Sequence, residues 1–205
     1  MGSVAIVDYG MCNLDSVARA VEECSGKPLI SDRPSDLENA SRIILPGVGA
    51  FPDAMRNLRQ RGLDHVIVEQ ALQKRIPFLG ICLGMQLLAS CGSEFEETSG
   101  LGLIPGEVVR LQPWGDDRRI PHIGWNEVHF DQRCPLFKGI SLGHDFYFVH
   151  SYHFCPRDAA HAVGRTPYGK GFVSVVQREL VFGTQFHPEK SQKTGFQVLK
   201  NFLQL

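Results

Sequence analysis

The stretch Pro77-Phe78-Leu79-Gly80-Ile81-Cys82-Leu83-Gly84-Met85-Gln86-Leu87-Leu88-Ala89 decides how this chain is read. One short apolar run passes into a second with no polar turn between them. Cys82 stands at the join, with a glycine two residues away on each side. The first run predicts a buried strand and the second a helix. A sharp strand-to-helix turn exposes the side chain at its apex, and flanking glycines remove the Cβ atoms that would clash there. Cys82 therefore occupies the nucleophile position of an elbow. The helix is expected to turn its free N–H groups and positive dipole end toward the sulfur, favouring thiolate over thiol. The backbone N–H of Leu83 is then placed for an oxyanion hole. Outside such a context the same cysteine would read as a small buried hydrophobe.

Two similar units precede this one. Val4-Ala5-Ile6-Val7 ends in Asp8-Tyr9-Gly10, and Asn13 stands at an N-cap position ahead of Leu14, Val17, Ala18 and Val21. Arg42-Ile43-Ile44-Leu45 leads into Pro46-Gly47-Val48-Gly49 and a helical stretch from about Pro52 to Arg61. Strands alternating with helices predict an α/β fold whose parallel sheet is covered on both faces, with its working loops at the strand carboxyl ends. From Gly102 onward short strands take over, such as Glu107-Val108-Val109-Arg110-Leu111, Phe146-Tyr147-Phe148-Val149 and Phe172-Val173-Ser174-Val175-Val176. The turn Thr166-Pro167-Tyr168-Gly169-Lys170-Gly171 predicts antiparallel hairpins. The expected whole is a mixed, mostly parallel sheet flanked by helices, with antiparallel strands in the C-terminal half. A last helix from Thr194 to Leu205, with Phe196, Leu199, Phe202 and Leu203 on one face, is expected to close it.

The chain has 205 residues, 43% hydrophobic and 21% charged, which suits one domain over residues 1–205. A net charge of -1 without long like-charge runs argues against nucleic-acid or membrane-surface binding. The N-terminus lacks a signal-peptide pattern, and no apolar run is long enough to span a bilayer. Six scattered cysteines without a CxxC pair read as free thiols, so a cytoplasmic setting is expected.

A cysteine nucleophile needs a base that also protonates the leaving group. His187, in Phe186-His187-Pro188-Glu189, follows the strand-like Val181-Phe182-Gly183-Thr184-Gln185-Phe186. Glu189 is close enough in sequence to orient the imidazole, giving a Cys-His-Glu relay. The loop Pro46-Gly47-Val48-Gly49 lacks the lysine and spacing of a phosphate-binding loop. Its backbone, at Val48 and Gly49, suits a second oxyanion donor, although an ordinary turn also fits. His150 and His153 flank Ser151-Tyr152; in one strand they would point to opposite faces, which argues against a metal site. No cofactor is indicated. Asp116-Asp117-Arg118-Arg119 reads as a solvated loop, and Cys91 as packing at the end of the elbow helix.

With elbow, oxyanion loop and His-Pro-Glu in this order, the chain resembles the class I glutamine amidotransferases over essentially its whole length. Within them it resembles the glutaminase subunits of imidazole glycerol phosphate synthases. That narrower likeness rests on Asp8-Tyr9-Gly10 with Asn13-Leu14 and Ser16-Val17, Pro46-Gly47-Val48-Gly49-Ala50-Phe51, Pro121-His122-Ile123-Gly124-Trp125-Asn126 and Phe148-Val149-His150-Ser151-Tyr152. The resemblance implies that Cys82 attacks the side-chain amide of glutamine, with His187 and Glu189 completing the triad. It implies that Gly49, Gln86 and the backbone around Ser151 and Tyr152 hold the substrate. It further implies a heterodimer with a (β/α)8 barrel synthase, contacted by Trp125, Tyr147 and Lys190, that uses the ammonia in histidine biosynthesis. Only 16 residues follow Glu189 and no synthase segment precedes the first strand, so the ammonia is expected to be used by another chain. Cys12 departs from the family's usual glycine, which opens the alternative of a paralogue serving another acceptor, such as a sugar amidotransferase. A stand-alone cysteine hydrolase is a further alternative.

Overall fold

The computed structural model describes residues 2–115 and 119–205. Asp116, Asp117 and Arg118 of the expected solvated loop lie outside the described residues. The first half contains β1 (Ser3–Val7), α1 (Leu14–Glu23), β2 (Lys27–Ser31), α2 (Pro34–Glu38), β3 (Arg42–Gly47), α3 (Phe51–Gln60), α4 (Leu63–Val68), β4 (Phe78–Cys82) and α5 (Leu83–Leu87). The strands β5 (Cys91–Gly92), β6 (Thr98–Ser99), β7 (Gly106–Arg110), β8 (His122–Glu127), β9 (His129–Phe130), β10 (Asp145–His150) and β11 (Tyr152–Pro156) follow. The chain ends with β12 (Ala162–Thr166), β13 (Phe172–Arg178), β14 (Val181–Thr184) and α6 (Gln192–Leu203).

The main sheet has the order β2-β1-β3-β4-β14-β13-β12-β9. It is parallel from β2 through β14, and β13, β12 and β9 continue it in antiparallel pairings. Its central strands are buried on both faces, which is why they read as continuous apolar runs. Alternate residues serve different layers. Ala5, Val7, Ile43 and Leu45 pack with α3, α4 and α5, whereas Val4, Ile6 and Ile44 pack with α1 and α6. A four-stranded sheet, β11-β7-β5-β6, and the β10–β8 ribbon complete the fold. Among the described residues no helix is long and apolar enough to cross a membrane.

The registers position the site. Gly47 pairs with Cys82 and Pro46 with Ile81, while Thr184 pairs with Ile81 from the other side. The loops leaving β3, β4 and β14 therefore emerge together at one sheet end. The two elbow glycines meet close neighbours. A Cβ at Gly80 would lie 2.5 Å from the Gly84 carbonyl oxygen, and one at Gly84 would land on the Leu45 carbonyl oxygen.

Several details differ from the sequence reading. β2 and α2 were not anticipated, because β2 is an edge strand with Leu29 and Ile30 exposed and no apolar alternation. Asn13 stands at the N-cap of α1, but its side chain makes no capping hydrogen bond. The elbow helix ends at Leu87, so Cys91 belongs to β5 and not to a helix end. So short a helix offers only a small positive end to the sulfur. β14 stops at Thr184, which leaves residues 185–187 to carry the chain outward.

We expect Gly84→Ala to cost about 3 kcal/mol or more in urea unfolding, the upper range of overpacking costs. Gly62→Ala is the control, because Gly62 has φ +66 and open space around its Cβ position. Backbone conformation alone should cost it about 1 kcal/mol. Equal costs in the two variants would show that the helix does not sit on β3 as described.

Candidate active site

β4 delivers Cys82 with φ +55 and ψ −109, a conformation that costs a non-glycine residue about 1–3 kcal/mol. The turn projects Cys82 into a cavity of about 260 Å³ lined by Val48, Gly49, Leu83, Gln86, Glu94, Val149, His150, Ser151, Tyr152 and His187. Every residue expected from the sequence to be catalytic, oxyanion-binding or substrate-binding lines it, except Glu189, which stands behind His187.

His187 arrives on the short segment after β14. Its backbone N–H donates to the Tyr147 carbonyl at 2.9 Å, and Ser191 Oγ donates to the His187 carbonyl at 2.7 Å. The ring is buried, and its Nδ1 lies 2.7 Å from Glu189 Oε1, whose side chain is 2% exposed. A carboxylate accepts only, so Nδ1 carries the proton and Nε2 is left to face the cavity. That Nε2 makes no hydrogen bond of ordinary length among the described residues, and it interacts electrostatically with Cys82. Burial disfavours the charged ring. Attraction to the Cys82 sulfur, followed by the bond to Glu189, outweighs burial and raises the imidazole to about 10. The arrangement can shuttle a proton between a sulfur nucleophile and a leaving group.

Two residues were missed by the sequence reading. Gln185, fully buried, points its Nε2 at Cys82 Sγ from 3.7 Å, and its Oε1 accepts from Gln86 Nε2 at 3.1 Å. Its place two residues before His187 was the available signal. Glu94 lines the cavity and accepts the Phe51 N–H at 2.8 Å. Burial raises its carboxyl above the usual range, with the Phe51 N–H acting against the rise. It comes from Ser93-Glu94-Phe95-Glu96-Glu97, which reads as a solvated acidic run.

The loop after β3 is placed at the cavity but not poised as the sequence suggested. The Val48 N–H, expected to meet an oxyanion, donates to the Met11 carbonyl at 2.9 Å. Gly49 has φ +102, and a Cβ there would come within 2.7 Å of the Met11 side chain. Cys12, beside Met11, turns its thiol inward toward the carbonyls of Pro46 at 3.5 Å and Val7 at 3.7 Å. Burial pushes that thiol up to about 11. Cys12 is not among the residues with positive φ, so its backbone does not require glycine.

Trp125, Tyr147 and Lys190 lie together outside the cavity. Trp125 and Tyr147 are cross-strand partners with ring centres 5.9 Å apart, and Lys190 Nζ lies 5.9 Å from the Tyr147 ring centre. His150 and His153 belong to different strands, β10 and β11, so the expectation of a shared strand is corrected. No cluster of metal-ligating side chains is found among the described residues.

The family model described as glutamine amidotransferase class-I matches residues 5–205. The chain belongs to the class-I glutamine amidotransferases. This class-I amidotransferase is similar to the imidazole glycerol phosphate synthase subunit HisH of Moorella thermoacetica, at 50% identity over 100% of this chain and 96% of that one. It is similar to the subunit of the same name from Cereibacter sphaeroides, at 46% identity over 97% and 96%. Among solved structures it is similar to PurLQS of Thermotoga maritima, with a TM-score of 0.74 at 21% identity, covering 100% of this chain and 99% of that one. At that identity the likeness concerns the fold alone.

The raised imidazole of His187 has a testable sign. Its value lies above the roughly 6.5 of an unperturbed histidine, so the stability it adds is complete below about pH 6.5. That stability is lost as pH rises through about 10. In an NMR titration His187 should remain cationic at pH 8 in the native chain. In Cys82→Ser it should lose its proton at lower pH, with a smaller alkaline loss of stability. A His187 ring neutral at pH 7 in the native chain would contradict this electrostatic account.

Proposed function

We propose that residues 1–205 form one glutaminase domain that hydrolyses L-glutamine to glutamate and ammonia, as the glutaminase subunit of imidazole glycerol phosphate synthase. The observation that carries the reading is the convergence of Cys82 and the His187–Glu189 pair on one cavity, in a chain 50% identical over its full length to an imidazole glycerol phosphate synthase subunit.

In the proposed reaction Cys82 Sγ attacks the carboxamide carbon of glutamine. The negative charge passes to the carboxamide oxygen, which the Leu83 N–H and the backbone around Val48 and Gly49 would stabilise. His187 gives its Nε2 proton to the departing nitrogen, ammonia leaves, and a γ-glutamyl thioester remains. Water then gives a proton to His187 and its hydroxide to the thioester carbon; the C–S bond breaks, releasing glutamate and restoring the Cys82 thiolate beside the cationic His187. Glu189 holds the imidazole in the required tautomer. Before the Val48 N–H can serve, it must leave the Met11 carbonyl. The enzyme would therefore be slow until something reshapes that loop.

A partner subunit follows from the same reading. We infer a (β/α)8 barrel synthase that takes the ammonia and forms imidazole glycerol phosphate and aminoimidazole carboxamide ribotide. The half-exposed Trp125 beside Tyr147 and Lys190 suits such a contact. Nothing at Cys12 favours a different acceptor, since its thiol is accommodated within the loop and its φ is not positive.

A glutamine-mimicking electrophile should label Cys82 and leave the half-buried Cys12 and the buried Cys134, both thiols pushed up to about 11 by burial, untouched. Cys82→Ala, mixed with the barrel synthase, should lose glutamine-dependent synthesis and keep ammonia-dependent synthesis. Undiminished glutamine-dependent turnover in that variant would sink the assignment.

A further inference from the structure

Two buried histidines beside the cavity have no place in the chemistry above. His122 and His150 are 3% and 6% exposed, and they face each other as register partners of β8 and β10. A line of hydrogen bonds runs through them in one direction. Glu127 N–H donates to Asn126 Oδ1 at 2.9 Å, which turns Asn126 Nδ2 toward His122 Nε2, 3.3 Å away. His122 Nδ1 is 3.0 Å from His150 Nε2, and His150 Nδ1 is 2.8 Å from the Tyr152 carbonyl oxygen.

The donors and acceptors of these four bonds assign the protons. A carbonyl only accepts, so His150 carries a proton on Nδ1. A proton on His122 Nε2 would oppose the Asn126 N–H, so His122 also carries its proton on Nδ1 and donates it to His150 Nε2. In this arrangement each of these bonds pairs one donor with one acceptor. Burial agrees with this arrangement and holds His150 down at about 3, even though the Tyr152 carbonyl favours its charged form.

The Tyr152 carbonyl accepts a second bond, from Gln86 Nε2 at 2.9 Å. The other Gln86 N–H goes to Gln185 Oε1 at 3.1 Å, and Gln185 Nε2 reaches toward Cys82 Sγ. With both Nε2 hydrogens committed, Gln86 has its Oε1 to offer a ligand in the cavity.

We propose that His122 and His150 are positioning residues that, through the Tyr152 carbonyl, set the Gln86 amide so that it presents an oxygen acceptor to an N–H group of the substrate. Through Gln185 the same line of bonds holds the Cys82 sulfur. The inference rests on the glutaminase reading of the cavity. It makes substrate binding depend on two residues that do not touch the reacting atoms.

The test has a spectroscopic and a kinetic arm. Nitrogen-15 NMR of the full chain at pH 7 should find both imidazoles neutral and protonated at Nδ1; a cationic or Nε2-protonated ring at either position overturns the proposal. His150→Asn keeps a donor where Nδ1 sits, whereas His150→Phe keeps only a ring. Assayed with the synthase partner, the Phe variant should raise KM for glutamine about tenfold with a smaller change in kcat, as loss of one hydrogen bond implies. The Asn variant should stay within about threefold of the native KM. Unchanged KM in the Phe variant, or equal losses in both variants, overturns the positioning role. If His150→Phe does not fold, the NMR result decides. Absence of glutamine hydrolysis by the native complex would instead bring down the glutaminase reading, whatever the ring tautomers.

Discussion

The close seating of the elbow helix on β3 is the constraint on which the rest of the molecule depends. Gly84 lies so near the Leu45 carbonyl that no side chain fits between them, and Gly80 is closed in by the Gly84 backbone. With this approach the turn at Cys82 takes its positive-φ conformation and aims the sulfur out of the sheet. The pairing of β4 with β3 on one side and β14 on the other then brings the Pro46–Gly49 loop and His187 to the same end. Backbone geometry thus sets where the chemistry can occur.

Electrostatics acts within that frame. The buried Glu189 leaves His187 one orientation, and the neighbouring sulfur favours its charged form despite burial. The loop that would complete an oxyanion site is held elsewhere, its Val48 N–H bound to Met11 and its Pro46 carbonyl approached by Cys12. In the proposed function these features combine as a prepared nucleophile and an unprepared oxyanion hole. That combination suits an enzyme whose ammonia is useful only when an acceptor is present.

Much of this was legible in the chain because it rests on local signals. The glycines around Cys82, the short spacing from His187 to Glu189, and the continuous apolar runs of β1, β3 and β4 each act over a few residues. What escaped depends on contacts between distant segments or on exposed elements. β2 lies at the sheet edge with Leu29 and Ile30 exposed, so burial imposes no alternation on it. Cys91 follows an apolar run that continues the helical reading, yet the helix gives way to a strand that pairs with β7. Glu94 looks like part of a solvated acidic run until the fold places it against Phe51. The engagement of Val48 by Met11, and of His122 by His150, depends on pairings that no sequence period announces.

The central claim is that Cys82 forms a covalent bond to the acyl group of glutamine. Rapid acid quenching of the chain during turnover with glutamine and the synthase partner, followed by mass analysis of its peptides, tests this most directly. The account predicts one γ-glutamyl group on the peptide that contains Cys82, absent from Cys82→Ala. Steady release of glutamate with no adduct on that peptide, and with the alanine variant equally active, would contradict it.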